Sequence, residues 1–363
     1  MAYRLRVCDL RSDQVMDILP IQGVTFDDYI GKTGSLSGTI PVPDAGMARR
    51  CQDAIQPGRT MAWLERGQDV VWGGPIWVAT PTRDERGYYT LPVQGAGVES
   101  YYRAHRQQVD TLIFTATDQL DIARSLISYA TSRAGGDIGV EIDYTLESGV
   151  PRDRTYQGAD LQWVGTHLDQ LAATQGGFEW RINCYRTSDG MRHKALQLGY
   201  PKIRIGSTDT VLTSPGPITA YSLPQDATVQ ANSFIARGST VNINLTAASF
   251  PLMSGPWTTP ADYAAGWPLL EGSADYSSVA DQTILDQYGQ AGLARWVRPI
   301  TIPSVRVLTA AGPLPEIGST IRLRIQDVWY PAGYDARWRL VGYKVSPEER
   351  GRPETTDLYL GAL

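Results

Sequence analysis

At 363 residues the chain exceeds what one hydrophobic core supports, so two or three domains are expected. Hydrophobic residues at 42% and charged residues at 20% exclude a disordered chain, and a formal net charge of −5 excludes a dedicated duplex-DNA binder, which needs a basic footprint. The 19 Tyr and 10 Trp against 5 Phe favour amphipathic rings, which suit half-buried strands and contact surfaces.

Residues 2–10 alternate, with Tyr3, Leu5 and Val7 on one face and Arg4, Arg6 and Cys8 on the other. Asp13 and Pro20 bracket a second short strand, Val15 to Leu19, and the two predict an opening hairpin. Between Phe26 and Val42, Gly31, Gly34 and Gly38 precede Thr39-Ile40-Pro41-Val42, which reads as a loop feeding a strand that ends at proline. Asp44 is placed to cap a short helix through Ala54. Two strands joined by Arg66-Gly67, then a third over residues 87–97, complete residues 1–98 as an antiparallel barrel or sandwich with one inserted helix.

Near Gly97 period two gives way to helical spacing. Asp118 can cap a helix in which Leu120, Ala123, Ile127 and Ala130 form one apolar stripe. A second helix, about Asp160 to Thr174, turns Leu161, Val164, Leu168, Leu171 and Ala172 inward and stops at Gly176-Gly177. Strands over 178–186 and 194–201, joined through Asp189-Gly190, predict a hairpin. Residues 99–205 thus read as an α+β domain.

From Tyr221 the chain is β again, through residues 227–239 and 240–249. Residues 250–297 form a Pro-, Trp- and Tyr-rich insertion with one helix, Ser277 to Trp296, whose Val279, Ile284, Tyr288 and Leu293 are spaced for burial. Four strands end the chain, over 300–308, 319–327, 336–347 and 355–363. The alternation of Ile321, Leu323 and Ile325 with Arg322, Arg324 and Gln326 gives them one wet face. Residues 206–249 and 298–363 therefore read as a second barrel. Pro57-Gly58 and Ile317-Gly318 each introduce a strand, and the strand after it passes a Trp and a Gly, so the two barrels look like copies of one plan.

The opening, from Arg4-Leu5-Arg6-Val7-Cys8-Asp9-Leu10 through residues 34–44 to the hairpin carrying Trp72, Gly74 and Ile76, resembles the Gp37-like minor tail proteins of siphophages of actinobacteria. The last hairpin, residues 335–347, is similar too, so the resemblance covers most of the chain. That family is similar to the hub, or baseplate, proteins of long-tailed phages and contractile injection machines. The resemblance implies a phage tail hub fold: β-rich, α+β and multidomain, with two tube-like antiparallel β-barrels separated by inserted α+β domains. It implies a homotrimer whose six barrel units adapt a hexameric tail tube to a three-fold tip. The partners implied are tail tube, distal tail, tail-tip and tape-measure proteins, with DNA passing through the lumen without sequence-specific binding. The implied location is the virion tail tip, after synthesis in the host bacterial cytoplasm. The chain ends at Leu363 directly after a strand, so no appended lysozyme or peptidase is expected.

Other chemistries find little support. Cys8, Cys51 and Cys184 form no CxxC pair and have no His at ligand spacing, so neither a disulfide framework nor a zinc site is expected, and no cofactor is. The first dozen residues lack an apolar core, which argues against a signal peptide, and no run of eighteen apolar residues suggests a membrane span. For nucleophilic catalysis there are only His105 and His193, read as solvated loop residues, and His167, read as a half-buried helical residue. Carboxylate pairs for a glycosidase are Asp27-Asp28, Asp84-Glu85 and Glu141 with Asp143, the last two sharing a strand face. A GxxxxGK[ST] loop is missing, and Gly95-Ala96-Gly97 lacks its third glycine. The basic clusters, Arg49-Arg50, Arg103 to Arg106, and Arg322 with Arg324, are short and read as solvated faces or, alternatively, lumen contacts. The aromatic stretches Trp257 to Trp267 and Trp329 to Tyr334 suit loop anchors or subunit contacts, with stacking on a receptor polysaccharide as the rival. The expectation is a structural protein and not an enzyme. A receptor- or carbohydrate-binding tail protein is the alternative, with a glycoside hydrolase behind it.

Overall fold

The computed structural model describes residues 3–240, 249–299, 302–348 and 351–363. The opening hairpin forms from β1 (Tyr3–Asp9) and β2 (Val15–Pro20). The glycine-rich stretch, expected as a loop, instead makes a second hairpin, β3 (Gln22–Tyr29) with β4 (Ser35–Val42). Its glycines sit where backbones meet: a Cβ on Gly34 would lie 2.4 Å from the Asp27 carbonyl oxygen. Helix α1 (Ala45–Ala54) begins where Asp44 accepts the Met47 N–H at 2.8 Å. Strands β5 (Thr60–Arg66), β6 (Asp69–Ala79), β7 (Thr82–Arg83) and β8 (Tyr89–Ala96) follow.

The middle segment contains α2 (Glu99–Ala104), β9 (Leu112–Asp118), α3 (Gln119–Ser132), β10 (Val140–Ile142) and β11 (Pro151–Tyr156). It ends with α4 (Val164–Ala172), β12 (Glu179–Arg186) and β13 (Arg192–Gly199). The α3 stripe of Leu120, Ala123, Ile127 and Ala130 is fully buried. Helix α4 starts later than its spacing predicts, because Leu161 takes a left-handed φ of 49° after a short 3-10 turn and stays 52% exposed. Next come β14 (Thr210–Ser214) and β15 (Ile218–Ser222), both ahead of the first strand expected in this region.

The chain divides into two compact units. Residues 222–303, with 170–177, make the smaller one: β16 (Ser233–Thr240), β17 (Pro251–Met253), β18 (Trp257–Thr258), α5 (Pro260–Ala264), β19 (Glu271–Asp275) and α6 (Gln282–Trp296). By sequence β16 groups with the C-terminal strands, but it pairs with β17, β18 and β19. The expected partner strand over 240–249 lies almost entirely outside the described residues. Helix α6 starts at Gln282, where Asp281 accepts the Ile284 N–H at 2.9 Å. Its buried face is Leu285, Tyr288, Gly289 and Gly292; of the side chains that spacing selects, Tyr288 is buried, and Val279 and Ile284 pack half-buried against the same core. The glycines allow the helix to touch β16 directly, since a Cβ on Gly292 would stand 2.2 Å from the Phe234 ring. Gly292→Ala should therefore destabilise this unit by roughly 1–3 kcal/mol, although alanine is the better helix former. Urea unfolding beside the control Gly255→Ala, where a Cβ meets open space, would detect it; equal midpoints for the two variants would refute the tight contact.

The larger unit ends with β20 (Ser304–Leu308), β21 (Thr320–Ile325), β22 (Tyr334–Ser346) and β23 (Thr355–Gly361). A fourteen-stranded sheet runs through it in the order β15-β20-β23-β22-β3-β4-β8-β6-β5-β1-β2, with β14 on β21, β21 on β22, and β7 on β8. One arrangement occurs twice in this path. The first module reads β3-β4-β8-β6-β5 and the second β15-β20-β23-β22-β21. The long strands β6 and β22 correspond. Each pairs first with the strand before it, β6 with β5 up to Pro75 and β22 with β21 up to Arg339. Each then pairs with a later strand through a one-residue bulge, at Trp77 between Ile76 and Val78, and at Val341 between Leu340 and Gly342. Just before the bulge, the Gly58 N–H donates to the Ile76 carbonyl and the Gly318 N–H to the Leu340 carbonyl, each at 2.8 Å, both glycines having positive φ.

The equivalence also locates the smaller unit. It is inserted between β15 and β20, where the first module has only the turn from β3 to β4. Among the described residues no ladder joins the ends of the sheet or closes either module, so the closure expected of two barrels is not seen there.

Candidate functional site at the joint of the two modules

The modules meet where the far half of β22 pairs antiparallel with β3: Gly342 with Tyr29, Tyr343 with Asp28, Lys344 with Asp27, and Val345 with Phe26. The Ile30 N–H extends the ladder to the Val341 carbonyl at 2.9 Å. Gly342 permits the approach, because a Cβ there would lie 2.2 Å from the Tyr29 ring. Tyr3, Phe26 and Tyr343 pack edge to face in succession, and the Tyr343 hydroxyl donates to the Val71 carbonyl at 3.0 Å, which ties the joint to β6.

Strand β12 spans the joint with charged rungs. Arg339 on β22 donates to Glu179 at 2.6 Å and to the Ile203 carbonyl at 2.9 Å. Arg181 bonds Asp28 on β3, and Arg186 bonds Glu65 on β5. Glu65 is fully buried; burial opposes its charge, but hydrogen bonds from Arg6, at 2.7 Å, and from Arg186 outweigh that and hold its carboxyl below the ordinary value. Between the rungs, a Cβ on Gly73 of β6 would lie 2.8 Å from the Cys184 side chain, so β12 lies directly on the sheet.

The Arg181 rung includes a second carboxyl. Glu99, at the start of α2, is 3% exposed and accepts the Ile182 N–H at 2.6 Å. Burial, reinforced by the negative Asp28, pushes Glu99 up to about 7 from its ordinary 4.5. Burial raises Asp28 too, while the Arg181 guanidinium pulls the other way. Two carboxyls facing one guanidinium in a dry setting both hold their protons more tightly than they would in water. Burial likewise pushes the Cys184 thiol up and keeps it protonated. A cleft of about 820 Å³ opens over this cluster, lined among others by Arg66, Glu99, Arg181, Arg186 and Tyr343 and by the loop over residues 312–317.

The histidines and the carboxylates singled out by sequence do not gather there, Asp28 excepted. His105 stacks on Trp77 with centroids 4.2 Å apart. His167 is buried against Tyr156 and contacts Gln108 at 3.1 Å. His193 lies on β13, not in the turn, and meets the exposed Glu141 at 2.7 Å, whereas Asp143 bonds Thr145. Asp27 accepts the Ser35 N–H, and Asp84 holds its own turn through Arg86 and Tyr88. The arginine clusters are paired locally, Arg50 with Asp17, Arg103 with Asp169, and Arg322 and Arg324 with Asp335. Among the described residues no three His, Cys, Asp or Glu gather as metal ligands, and no helix is long and apolar enough to cross a membrane. Sequence reasoning missed Glu65, Glu99 and Arg181; the only sign was their position inside otherwise apolar strand and helix starts.

No protein-family model and no curated protein matches the chain. Solved structures do. The tail protein from Neisseria meningitidis MC58 superposes with a TM-score of 0.62 at 15% identity, over 100% of this chain and 97% of that one. The 43 kDa tail protein of prophage MuSo2 from Shewanella oneidensis gives 0.62 at 12%, over 100% and 98%. An E. coli component of the type VI secretion system, described as structurally similar to T4 phage tail proteins, gives 0.52 at 12%, over 99% and 76%. The chain has the fold of these tail proteins.

Proposed function

We propose that the chain is a structural tail hub, or minor tail, protein of a long-tailed bacteriophage, of the kind found in actinobacterial siphophages. Three copies form a ring that adapts a six-fold tail tube to a three-fold tip and lets DNA through. The observation that carries this reading is the duplicated strand order, with the two copies already joined side by side by β22 and β3. Three such chains supply six near-equivalent modules, and a heterologous contact that closes on itself gives a ring. In this reading residues 1–98 build one tube module and β14, β15 and β20 to β23 the other, with 99–205 between them and the unit of residues 222–303 as an appendage. The net charge of −5 suits a bore that a polyanion must leave freely. No residue is assigned a catalytic role, since the buried carboxyls serve as rungs and no histidine faces the cleft. Trp329, 80% exposed beside Val328, favours a second reading, a receptor- or carbohydrate-binding tail protein.

Mass photometry and negative-stain images of the purified chain test the proposal. A three-fold ring with a hole of tube width is the expected result. A monomer retained on host glycan would replace it with the second reading.

A further inference from the structure

We infer that the ring closes by β-augmentation between copies: β15 of one chain adds to the exposed edge of β6 of the next, at residues 78–80. This rests on the trimeric reading above and names the surface that builds it. In the intrachain joint, β3 lies on the edge of β22 just past its bulge, along Gly342–Val345. The residues in the same place past the β6 bulge are Val78, Ala79, Thr80 and Pro81. Strand β5 covers that side of β6 only as far as Pro75, and among the described residues no strand covers it beyond. The Thr80 N–H donates to the Pro92 carbonyl of β8, so strand alternation turns the N–H and C=O of Ala79 to the opposite, open side. Pro81, with no N–H to give, marks where such a ladder would stop.

The complementary edge follows from the same equivalence. Strand β15 stands outside β20 as β3 stands outside β4, but β3 has β22 beyond it, whereas among the described residues β15 ends the sheet. The β6 edge is bounded by the Trp77 bulge and Pro81, and between them, as along β15, no charge opposes pairing. Val78-Ala79-Thr80 and Thr219-Ala220-Tyr221 contain no charge, and Val78, Thr80, Thr219 and Ala220 are exposed. Edge strands that stay single normally carry charge, proline or a bulge against pairing. The other terminal strand, β2, does so: Asp17 in its middle is bound by Arg50 at 2.6 Å, and Pro20 ends it. One chain thus presents one socket and one matching strand. Three copies in head-to-tail order would alternate three β22·β3 joints with three β6·β15 joints.

Cysteine cross-linking tests this. Val78→Cys and Thr80→Cys are each combined in turn with Thr219→Cys, Ala220→Cys and Ser222→Cys, and the full-length protein is oxidised and run on non-reducing gels beside mass photometry. At least one pairing should yield a covalent ladder that stops at trimer and collapses with reductant, while every single variant stays uncrosslinked. Trimers without any such cross-link, or a cross-link to Met16→Cys on β2 in place of Val78→Cys or Thr80→Cys, overturn the edge assignment and leave the trimeric reading standing. A monomer under all conditions sinks both.

Discussion

Arg181→Met is expected to cost about 3–5 kcal/mol of unfolding free energy, the range for breaking a buried ion pair by removing one partner. Arg181 is 5% exposed, and its guanidinium is the cation that bonds Asp28. Methionine keeps most of the stem and its packing, so the loss measures the charge left behind in β3. Asp28 can take up a proton to escape, and so the cost should shrink at low pH and grow toward pH 8. The double variant Arg181→Met with Asp28→Asn should recover part of the loss, and at pH 5 most of it, because Asp28 no longer carries an unpaired charge. Urea unfolding at pH 5 and pH 8 reads both effects. If Arg181→Met unfolds at the wild-type midpoint at pH 8, the rung has no structural weight and the account of the joint is wrong.

The second large effect belongs to Glu99. Its carboxyl is raised in the folded chain from 4.5 to about 7, so the folded state holds the proton more tightly than the unfolded state. Below about pH 4.5 both states bind it and the group has no net effect. As pH rises from there the unfolded chain releases the proton and the folded chain does not, so stability falls at up to ~1.4 kcal/mol per pH unit, about 3 kcal/mol in all, and levels off above pH 7. Asp9, held near 2 by the Ser12 N–H and by Arg59, acts in the other direction: its contribution is lost as pH falls from about 4, and the two windows do not overlap. Glu99→Gln keeps an oxygen for the Ile182 N–H and removes the ionisation. It should flatten the decline between pH 4.5 and 7 and be the more stable protein at pH 8. A variant with the wild-type slope in that window would place the proton elsewhere in the cluster.

What could be read in advance divides along a physical line. Alternation reveals which face of a strand is wet, and so β1, β5 and β21 to β23 are legible from residues such as Ile321 and Leu323. The cap residues Asp44 and Asp118 likewise act on their own neighbours, whereas Asp281, which caps α6, was passed over for a start at Ser277. Pairing across β22 and β3 joins residues from opposite ends of the chain through backbone groups that every residue carries, so no side-chain pattern announces it. Glycines mislead for a related reason. Gly34 and Gly38 resemble loop residues and Gly289 and Gly292 resemble helix breakers, yet all four mark close approach of one backbone to a neighbour. The cluster at the joint was half visible: Asp28 was picked out beside Asp27 as an acid pair, but its partners Arg181 and Glu99 lie far along the chain, and no local pattern ties them to it. The likeness of Pro57-Gly58 to Ile317-Gly318 was legible in the sequence as a sign of two copies. The shared bulge and its glycine hydrogen bond give it a structural basis.

The insertion of residues 222–303 at one of two matching hairpins has a consequence for how such a chain diversifies. Backbone geometry treats the β3–β4 turn and the β15–β20 connection as the same place, yet only one has been opened to admit a folded appendage. In an assembly that repeats this plan around an axis, the appendage would recur at every other station. The tight turn at Ile30 to Gly34 is then a vacant graft point, where a foreign domain would occupy the stations that the natural one leaves bare.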